Sequence, residues 1–161
     1  MQIRDAAPAD LQAVAAIYAR EVAESVATFD TEPRTPESWA YLLEPTPGHH
    51  LLVAEEDGQA VAWASSSPYR PKNGYRLTRE TTVYAAPSAK GRGVGRALYD
   101  ELLARLVVDG MHLALAGVAQ PNAASDGLHR ACGFEPVGVM REVGFKHGRF
   151  IDVQWWQKRL G

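Results

Sequence analysis

Three glycines at alternate positions give this sequence its clearest chemical signature. Gly91, Gly93 and Gly95 follow a strand-like run and precede an apolar stretch with helical spacing. The first N–H groups of a helix have no partner within it and carry partial positive charge, so they form an anion site. Glycines let a phosphate approach the backbone closely. Three basic residues add positive charge around them: Lys90, Arg92 and Arg96. The segment therefore predicts binding of a phosphate or a diphosphate.

Two common nucleotide-binding motifs do not fit this glycine spacing. A P-loop ends in Gly-Lys followed by Ser or Thr, and that string is absent. A dinucleotide-binding fingerprint starting at Gly91 needs a small third residue at the position of Arg96, and one starting at Gly93 needs it at Leu98. The remaining alternative is a flexible loop without a ligand. The glycine spacing, the basic residues and the apolar helix that follows argue against that alternative.

The elements that position this loop predict a mixed α/β fold, with one mostly antiparallel sheet flanked by helices. Pro8–Ala23 has helical spacing, and a second helix starts after Thr35 and stops before Pro45. Asp57-Gly58 is typical of a tight hairpin turn. The predicted strands are Gln2–Arg4, His50–Glu55, Ala60–Ser67, Leu77–Ala85, His112–Val118, Glu135–Glu142 and Arg149–Gln157, and the later helices are Val94 to Gly110 and Asn122–Cys132.

Composition excludes several classes of protein. The chain has 161 residues, which is typical of one domain spanning 1–161. Its formal net charge of −2 argues against a general nucleic-acid or membrane-surface binder. Cys132 is the one cysteine, so an intrachain disulfide and a cysteine-based zinc site are excluded, and the histidines lack metal-ligand spacing. We expect a cytoplasmic protein with no metal cofactor.

The glycine segment resembles motif A of the GNAT superfamily of N-acetyltransferases. That motif reads Arg/Gln-x-x-Gly-x-Gly/Ala after a strand, and here it reads Lys90-Gly91-Arg92-Gly93-Val94-Gly95. The resemblance implies a GNAT fold in which this loop binds the diphosphate of acetyl-CoA. It also implies that the backbone of Val83, Tyr84 and Ala85 contacts the pantetheine arm. Lys90 departs from the usual Arg or Gln; it keeps the positive charge but loses the planar hydrogen-bonding group.

A second segment, about 30 residues further on, is similar to another GNAT motif. Asn122 to Phe134 matches the family pattern Asn…Ser/Ala…Leu-Tyr/His-x-x-x-Gly-Phe. By this resemblance Asn122 and Ser125 contact the cofactor. His129 takes the position where many members carry a tyrosine that acts as general acid. The two motifs occur in the family's order, and the resemblance extends over essentially the whole chain.

Within that superfamily, the sequence looks most like the phosphinothricin and methionine sulfoximine acetyltransferases. The strings that carry this resemblance are Thr28–Pro33, Arg70–Tyr75, Glu80–Tyr84 and Val143–Val153. The resemblance implies a homodimer and a small glutamate-like amino acid as substrate. Two departures from the subfamily are Ala85, where Val is usual, and Lys72, where some members carry Arg or an apolar residue. The second could shift substrate preference.

Acetyl transfer from a thioester requires a neutral amine, so a base must take a proton from the acceptor. Glu80 is the predicted base, directly or through water, because it lies on the strand that carries the thioester contacts. Backbone N–H groups of Val83–Ala85 could bind the oxyanion if a bulge splays that strand. The leaving thiolate needs a proton, for which His129 is the first candidate. Tyr84 and Tyr99 remain alternative donors, and His129 could instead serve the helix C-terminus.

Substrate contacts are expected from two loops and the central strand. Arg70 offers a two-pronged contact to a carboxylate or phosphinate, and Lys72 adds charge beside it. Phe29 and Tyr75 could line the methylene chain of the substrate, and Thr82 lies on the central strand. Two other functions stay open at this point. One is acetylation of a different amine or a protein N-terminus, and the other is acyl-CoA binding without catalysis.

Overall fold

A seven-stranded sheet forms the frame of the protein in the computed structural model, which describes residues 1–161. The strand order is β1-β2-β3-β4-β5-β7-β6. All neighbours are antiparallel except β4 and β5, which are parallel. The strands are β1 (Gln2–Asp5), β2 (His50–Glu56), β3 (Gln59–Pro68), β4 (Thr78–Ala85), β5 (Leu113–Ala119), β6 (Glu135–Lys146) and β7 (Arg149–Arg159). The predicted fold class is confirmed.

Three α-helices accompany the sheet: α1 (Leu11–Glu24), α2 (Val94–Val108) and α3 (Ala123–Ala131). Two predicted helical segments are wrong in type or extent. Pro8–Asp10 is a 3₁₀ turn that precedes α1, and Pro36–Leu43 is a 3₁₀ helix rather than an α-helix. Prolines at the starts of both segments are compatible with either helix type, so the sequence signal did not distinguish them. Asn122 lies outside α3 and caps it.

The helices bury two apolar cores on opposite faces of the sheet. On one face, α2 packs its buried side chains, including Leu98 and Leu102, against alternate residues of the strands. On the other face, α1 and the 3₁₀ helix Pro36–Leu43 cover an aromatic group that includes Trp63. Because successive side chains of a strand point to opposite faces, each residue of β4 can be assigned to one core. Val83 and Ala85 pack on the α2 face, and Tyr84 packs on the α1 face.

The β6–β7 hairpin is longer than predicted and reaches back to α1. The sequence predicted that the first of these strands ends at Glu142, but β6 continues to Lys146 after an irregular stretch between Met140 and Gly144. The Lys146 ammonium is buried and donates a hydrogen bond of 2.9 Å to the carbonyl of Thr28. This bond fixes the hairpin tip against the segment that follows α1.

Neither a membrane-crossing helix nor a cluster of metal-ligating side chains is present in the structure. No helix is both long and apolar enough to cross a membrane. No group of three or more His, Cys, Asp or Glu side chains is arranged to hold a metal ion.

Candidate active site

The strands β4 and β5 separate from each other and open a gap in the sheet. They pair only from Thr78 with Leu113 to Glu80 with Leu115. Beyond that point β4 remains paired with β3 in continuous register up to Ala85. The predicted bulge in β4 is therefore absent, and the divergence of β5 exposes the edge of β4 instead.

The exposed edge of β4 offers unpaired backbone groups. The carbonyl of Leu77 accepts from β5, whereas the N–H of Ala86 donates to β3. The N–H and C=O of one strand residue point to the same edge, and the edge alternates along the strand. Val83 and Ala85 therefore direct their N–H and C=O groups into the gap. These groups can pair with the amides of an extended ligand, as a neighbouring strand would.

The gap forms part of a cleft of about 550 Å³ between β4, β5, α2 and α3. This volume lies within the range of small-molecule sites. Nearly all of the residues predicted to bind the cofactor line it: Val83, Tyr84, Ala85, Lys90, Gly91, Gly93, Val94, Gly95, Arg96, Asn122 and Ser125. Arg92 does not line it, because its guanidinium binds both carboxylate oxygens of Glu56 at 2.9 Å. Thus the sequence prediction located the wall of the cleft but not the orientation of Arg92.

Each glycine of the predicted phosphate loop has a structural reason. Gly91 and Gly93 have φ angles of 76° and 78°, a left-handed conformation that other residues adopt at a cost. Gly95 is helical, but a Cβ there would lie 3.2 Å from Leu128 Cδ2 of α3. The first two glycines shape the turn into α2, and the third lets α3 approach it.

The N-terminus of α2 faces the cleft without a cap. Gly93 precedes the helix, no side chain bonds to its first N–H groups, and its first turn contains no acidic residue. The partial positive charge of these N–H groups is therefore not neutralised by the protein. Lys90 and Arg96 add two cations at this mouth, and Lys90 donates to Glu21 Oε1 at 2.7 Å.

A chain of polar groups occupies the closed end of the cleft, where β4 and β5 meet. Thr81 Oγ1 lies 3.1 Å from the carbonyl oxygen of Leu115 and 3.4 Å from the hydroxyl of Tyr99. That hydroxyl lies 3.1 Å from His129 Nε2, and His129 Nδ1 lies 2.7 Å from the carbonyl of Ser125. Tyr99 and His129 are both buried.

The hydrogen bonds assign the protonation of His129. A carbonyl only accepts, so His129 Nδ1 carries a proton and donates it to Ser125. Burial lowers the pKa of the imidazole, although the bond to Ser125 and the charge of Asp126 partly oppose this. The ring is therefore neutral near pH 7, and Nε2 accepts from the hydroxyl of Tyr99. Burial raises the pKa of Tyr99, so this residue keeps its proton.

Glu80 lies at the same end of the gap but on the opposite face of the sheet. It is the last β4 residue paired with β5, and it alternates with Thr81, which points toward Tyr99 of α2. Burial raises the pKa of the Glu80 carboxyl, and the charge of Arg70 lowers it only partly. No hydrogen bond holds this carboxylate. A carboxylate with a raised pKa and no partner is suited to accept a proton.

Aromatic side chains surround Arg70 on that face. The Arg70 guanidinium lies 5.0 Å from the ring centroid of Tyr69. The ring of Tyr69 packs edge-on against Tyr75 at 5.5 Å and Trp155 at 6.5 Å. Trp155 covers Gly117 of β5, which lines the cleft. Sequence reasoning missed Tyr69 and Trp155, although Trp155 alternates with the buried Trp156 and so had to point to this face.

Of the remaining predicted substrate residues, Thr82 lines the cleft, whereas Phe29 and Lys72 do not. Thr82 lines the cleft, two residues beyond Glu80. Phe29 is 39% exposed, and its ring lies directly against the backbone of Gly144. Lys72 is exposed at the start of the turn Asn73–Tyr75, and no contact connects it with the cleft. The hydroxyl of Tyr84 donates to the carbonyl of Ala27 at 3.0 Å, which makes it a packing residue of the α1 face.

The fold and this cleft define a class of protein. Residues 14–134 match the model of the acetyltransferase (GNAT) family, and the chain belongs to that family. It is an acyltransferase, as the sequence predicted.

Three proteins of known name or structure are similar to this chain over nearly its whole length. The phosphinothricin N-acetyltransferase of Streptomyces coelicolor is 44% identical over 166 residues, covering 99% of this chain and 96% of that protein. A phosphinothricin acetyltransferase from Sinorhizobium meliloti, solved with acetyl-CoA, is 35% identical with a TM-score of 0.94, covering 99% and 88% of the two chains. A ribosomal-protein-alanine N-acetyltransferase from Brucella melitensis is 40% identical with a TM-score of 0.93, covering 99% and 100%.

Proposed function

We propose that residues 1–161 form one domain that transfers the acetyl group of acetyl-CoA to the amine of a small glutamate-like amino acid. One observation carries the proposal: the unpaired edge of β4 leads to the uncapped N-terminus of α2. The amides of the pantetheine arm would pair with the C=O of Val83 and the backbone of Ala85, which leaves the N–H of Val83 for the thioester. The diphosphate would accept from the first N–H groups of α2. The thioester would then lie at the closed end of the cleft, near Thr81.

The acceptor side supports an amino acid with an anionic side chain. Arg70 lies close enough for its charge to lower the pKa of Glu80, and it can bind a carboxylate or a phosphinate with two N–H groups. The rings of Tyr69, Tyr75 and Trp155 form an apolar wall beside it. Such a wall suits the methylene groups of phosphinothricin, methionine sulfoximine or methionine sulfone.

The reaction follows from the positions of these groups. Glu80 takes a proton from the ammonium group, directly or through water, and the free amine attacks the thioester carbon. The carbonyl oxygen becomes an oxyanion, and the N–H of Val83 is directed into the gap to stabilise it. The C–S bond then breaks, the acetyl group remains on nitrogen, the nitrogen releases its second proton to solvent, and the thiolate of CoA takes a proton. Both substrates bind before transfer, since no residue is positioned as a covalent carrier.

Tyr99 is a better proton donor to the thiolate than His129. The neutral imidazole has its single proton committed to the carbonyl of Ser125. Tyr99 lines the cleft, and its hydroxyl lies 3.4 Å from Thr81 Oγ1, at the closed end where the sulfur would be released. In this scheme the O–H of Tyr99 turns from His129 Nε2 to the thiolate, because a hydroxyl rotates about its C–O bond whereas the imidazole N–H is fixed in the ring. His129 positions the tyrosine hydroxyl and does not itself donate.

Replacement of Tyr99 by phenylalanine tests this assignment. It keeps the ring in the core and removes only the hydroxyl, so we expect kcat to fall about 100-fold, the lower end of the range typical of general acid catalysis. The KM for acetyl-CoA should change little. Steady-state kinetics with His129→Gln as the comparison would check it. A larger loss of kcat in His129→Gln at equal thermal stability would assign the donor to His129 instead.

Release of free thiol over a panel of acceptors tests the function as a whole. We expect CoA release with phosphinothricin and methionine sulfoximine, and little with peptides that begin with alanine. Release only with such peptides would support acetylation of a protein N-terminus, the activity named for the Brucella relative. Tight binding of CoA without turnover of any acceptor would support a binding module and contradict catalysis.

We also propose that the protein forms a homodimer through β6. This strand lies at the edge of the sheet, where its backbone groups are open to a second strand. Large apolar side chains with exposures of 39 to 63% lie on this hairpin: Val137, Val139, Met140, Val143, Phe145 and Phe150. Light scattering should give twice the chain mass of 17.6 kDa, and Phe145→Glu should shift the protein toward monomer. A monomer at all concentrations would contradict the proposal.

A further inference from the structure

The lysine of the phosphate loop is already paired with a carboxylate of the protein. Lys90 Nζ donates to Glu21 Oε1 at 2.7 Å, across the cleft mouth from the loop to the end of α1. The Lys90 side chain is 55% exposed, whereas the Glu21 side chain is 11% exposed. Both residues line the cleft. The Glu21 carboxylate is therefore already paired with the Lys90 ammonium, which the diphosphate of the cofactor would otherwise bind.

Glu21 is held in place independently of Lys90. Its second oxygen, Oε2, accepts from Ser25 Oγ at 2.6 Å. Burial raises the pKa of this carboxyl, but the bonds from Lys90 and Ser25 outweigh burial and leave the pKa below its usual value. Glu21 is consequently ionised at neutral pH and presents a fixed negative charge to the cleft.

We propose that Glu21 competes with the diphosphate of acyl-CoA for the Lys90 ammonium and thereby weakens the binding of acetyl-CoA and CoA. The inference rests on the proposed function, because it takes CoA as the ligand of this cleft. Glu21 acts both through Lys90 and by its own charge at the cleft, and it touches none of the reacting atoms.

Two electrostatic effects of Glu21 both weaken the binding of the diphosphate. If Lys90 turns to the diphosphate, its bond to Glu21 must break, and that cost is subtracted from the binding free energy. If Lys90 stays on Glu21, the carboxylate cancels its charge and repels the diphosphate. When Lys90 leaves Glu21, the carboxylate still has polar partners. Ser25 remains bonded to it, and Lys146 lies close enough for its charge to interact with Glu21. Faster release of the product CoA is the expected benefit.

A second ion pair on the same loop provides the matched control. Arg92 binds Glu56 with two bonds of 2.9 Å, but Arg92 does not line the cleft. Both pairs connect the loop to a neighbouring element. If Glu21 only fixed the loop in place, substitution of Glu56 would have a similar effect on CoA binding. If Glu21 competes with the diphosphate for Lys90, substitution of Glu56 would have little effect.

Calorimetric titration of CoA into five proteins tests the proposal: wild type, Glu21→Gln, Lys90→Met, the double variant and the control Glu56→Gln. We expect Glu21→Gln to lower the Kd of CoA about five- to tenfold, the effect of removing one nearby charge in a partly screened site. Lys90→Met should raise the Kd about tenfold, since it leaves Glu21 facing the diphosphate alone. The double variant should return to within about twofold of wild type, because the pair is then replaced by neutral groups. Glu56→Gln should change the Kd less than about twofold.

The outcomes separate this inference from the proposed function. An unchanged or raised Kd in Glu21→Gln, or a double variant as weak as Lys90→Met, would overturn the role of Glu21 while wild-type CoA binding and turnover stand. The expected pattern of Kd values in a protein that acetylates no amino acid would support Glu21 and contradict the function. A wild-type protein that binds no CoA would overturn both.

Discussion

Replacing Glu80 by glutamine is expected to lower kcat by about 100- to 10,000-fold, the range typical of a lost general base. The Kd of acetyl-CoA should stay close to the wild-type value, because the Glu80 side chain points to the face opposite the α2 core. Steady-state kinetics with phosphinothricin, together with titration of acetyl-CoA, would measure both quantities. Glu44→Gln, an exposed carboxylate elsewhere, serves as the control. Unchanged turnover in Glu80→Gln would remove this residue from the mechanism.

The pH dependence of the same variant gives a second test. Burial raises the pKa of Glu80, so wild-type kcat/KM should fall as the pH drops through that raised value. In Glu80→Gln this acidic limb should disappear. A surviving limb at the same position would assign the base to another group.

The stability of Glu80→Gln should not account for lost activity. A raised pKa means that the folded chain binds this proton more tightly than the unfolded chain does. Ionised Glu80 therefore costs stability as the pH rises above the ordinary pKa of a glutamate, and a neutral glutamine removes that cost. We expect the Tm of Glu80→Gln at pH 7 to equal or exceed that of the wild type. A Tm several degrees lower would attribute the lost activity to unfolding.

Replacing Arg70 by alanine is expected to raise the KM for phosphinothricin about 10- to 100-fold, because the variant loses the two-pronged, charge-assisted contact to an anionic substrate group. The kcat at saturating phosphinothricin should fall much less. Arg76→Ala is the matched control, since Arg76 is exposed in the same loop and bonds only to the carbonyl of Asn73. Equal effects of the two substitutions would show that loop charge in general, rather than Arg70, binds the substrate.

Arg70 should also affect the pH dependence of kcat/KM. Its charge lowers the pKa of Glu80, against the larger effect of burial. In Arg70→Ala the acidic limb of kcat/KM should therefore move to higher pH. An unmoved limb would separate Arg70 from Glu80 and weaken the assignment of both to one acceptor site.

The phosphate loop could be predicted from sequence because its determinants are local. Alternating glycines, nearby cations and an apolar helix directly after them are all visible in a few residues. Gly91 and Gly93 are required by their own φ angles, which depend on the turn alone. The order of strands and helices could likewise be predicted, since hydrophobic periodicity reports each element separately.

Features that depend on distant contacts could not be predicted. The pairing of Lys90 with Glu21 joins residues 69 positions apart, and Arg92 with Glu56 joins residues 36 apart. Nothing in the local sequence shows that β5 leaves β4 after Leu115, so the sequence suggests a bulge in β4 only as a hypothesis. Trp155 joins Tyr69 and Tyr75 in the apolar wall beside Arg70 only because β7 pairs with β5.

The central claim is that the unpaired edge of β4 and the N-terminus of α2 together bind a CoA thioester. Titration of the ¹⁵N-labelled protein with CoA, followed by amide NMR shifts, tests it most directly. We predict that the largest shifts fall on the N–H groups of Val83, Ala85, Val94 and Gly95, and that they saturate together. The claim is contradicted if CoA leaves these four amides unshifted while it binds elsewhere, for example at the cavity between β1 and the 3₁₀ helix Pro36–Leu43.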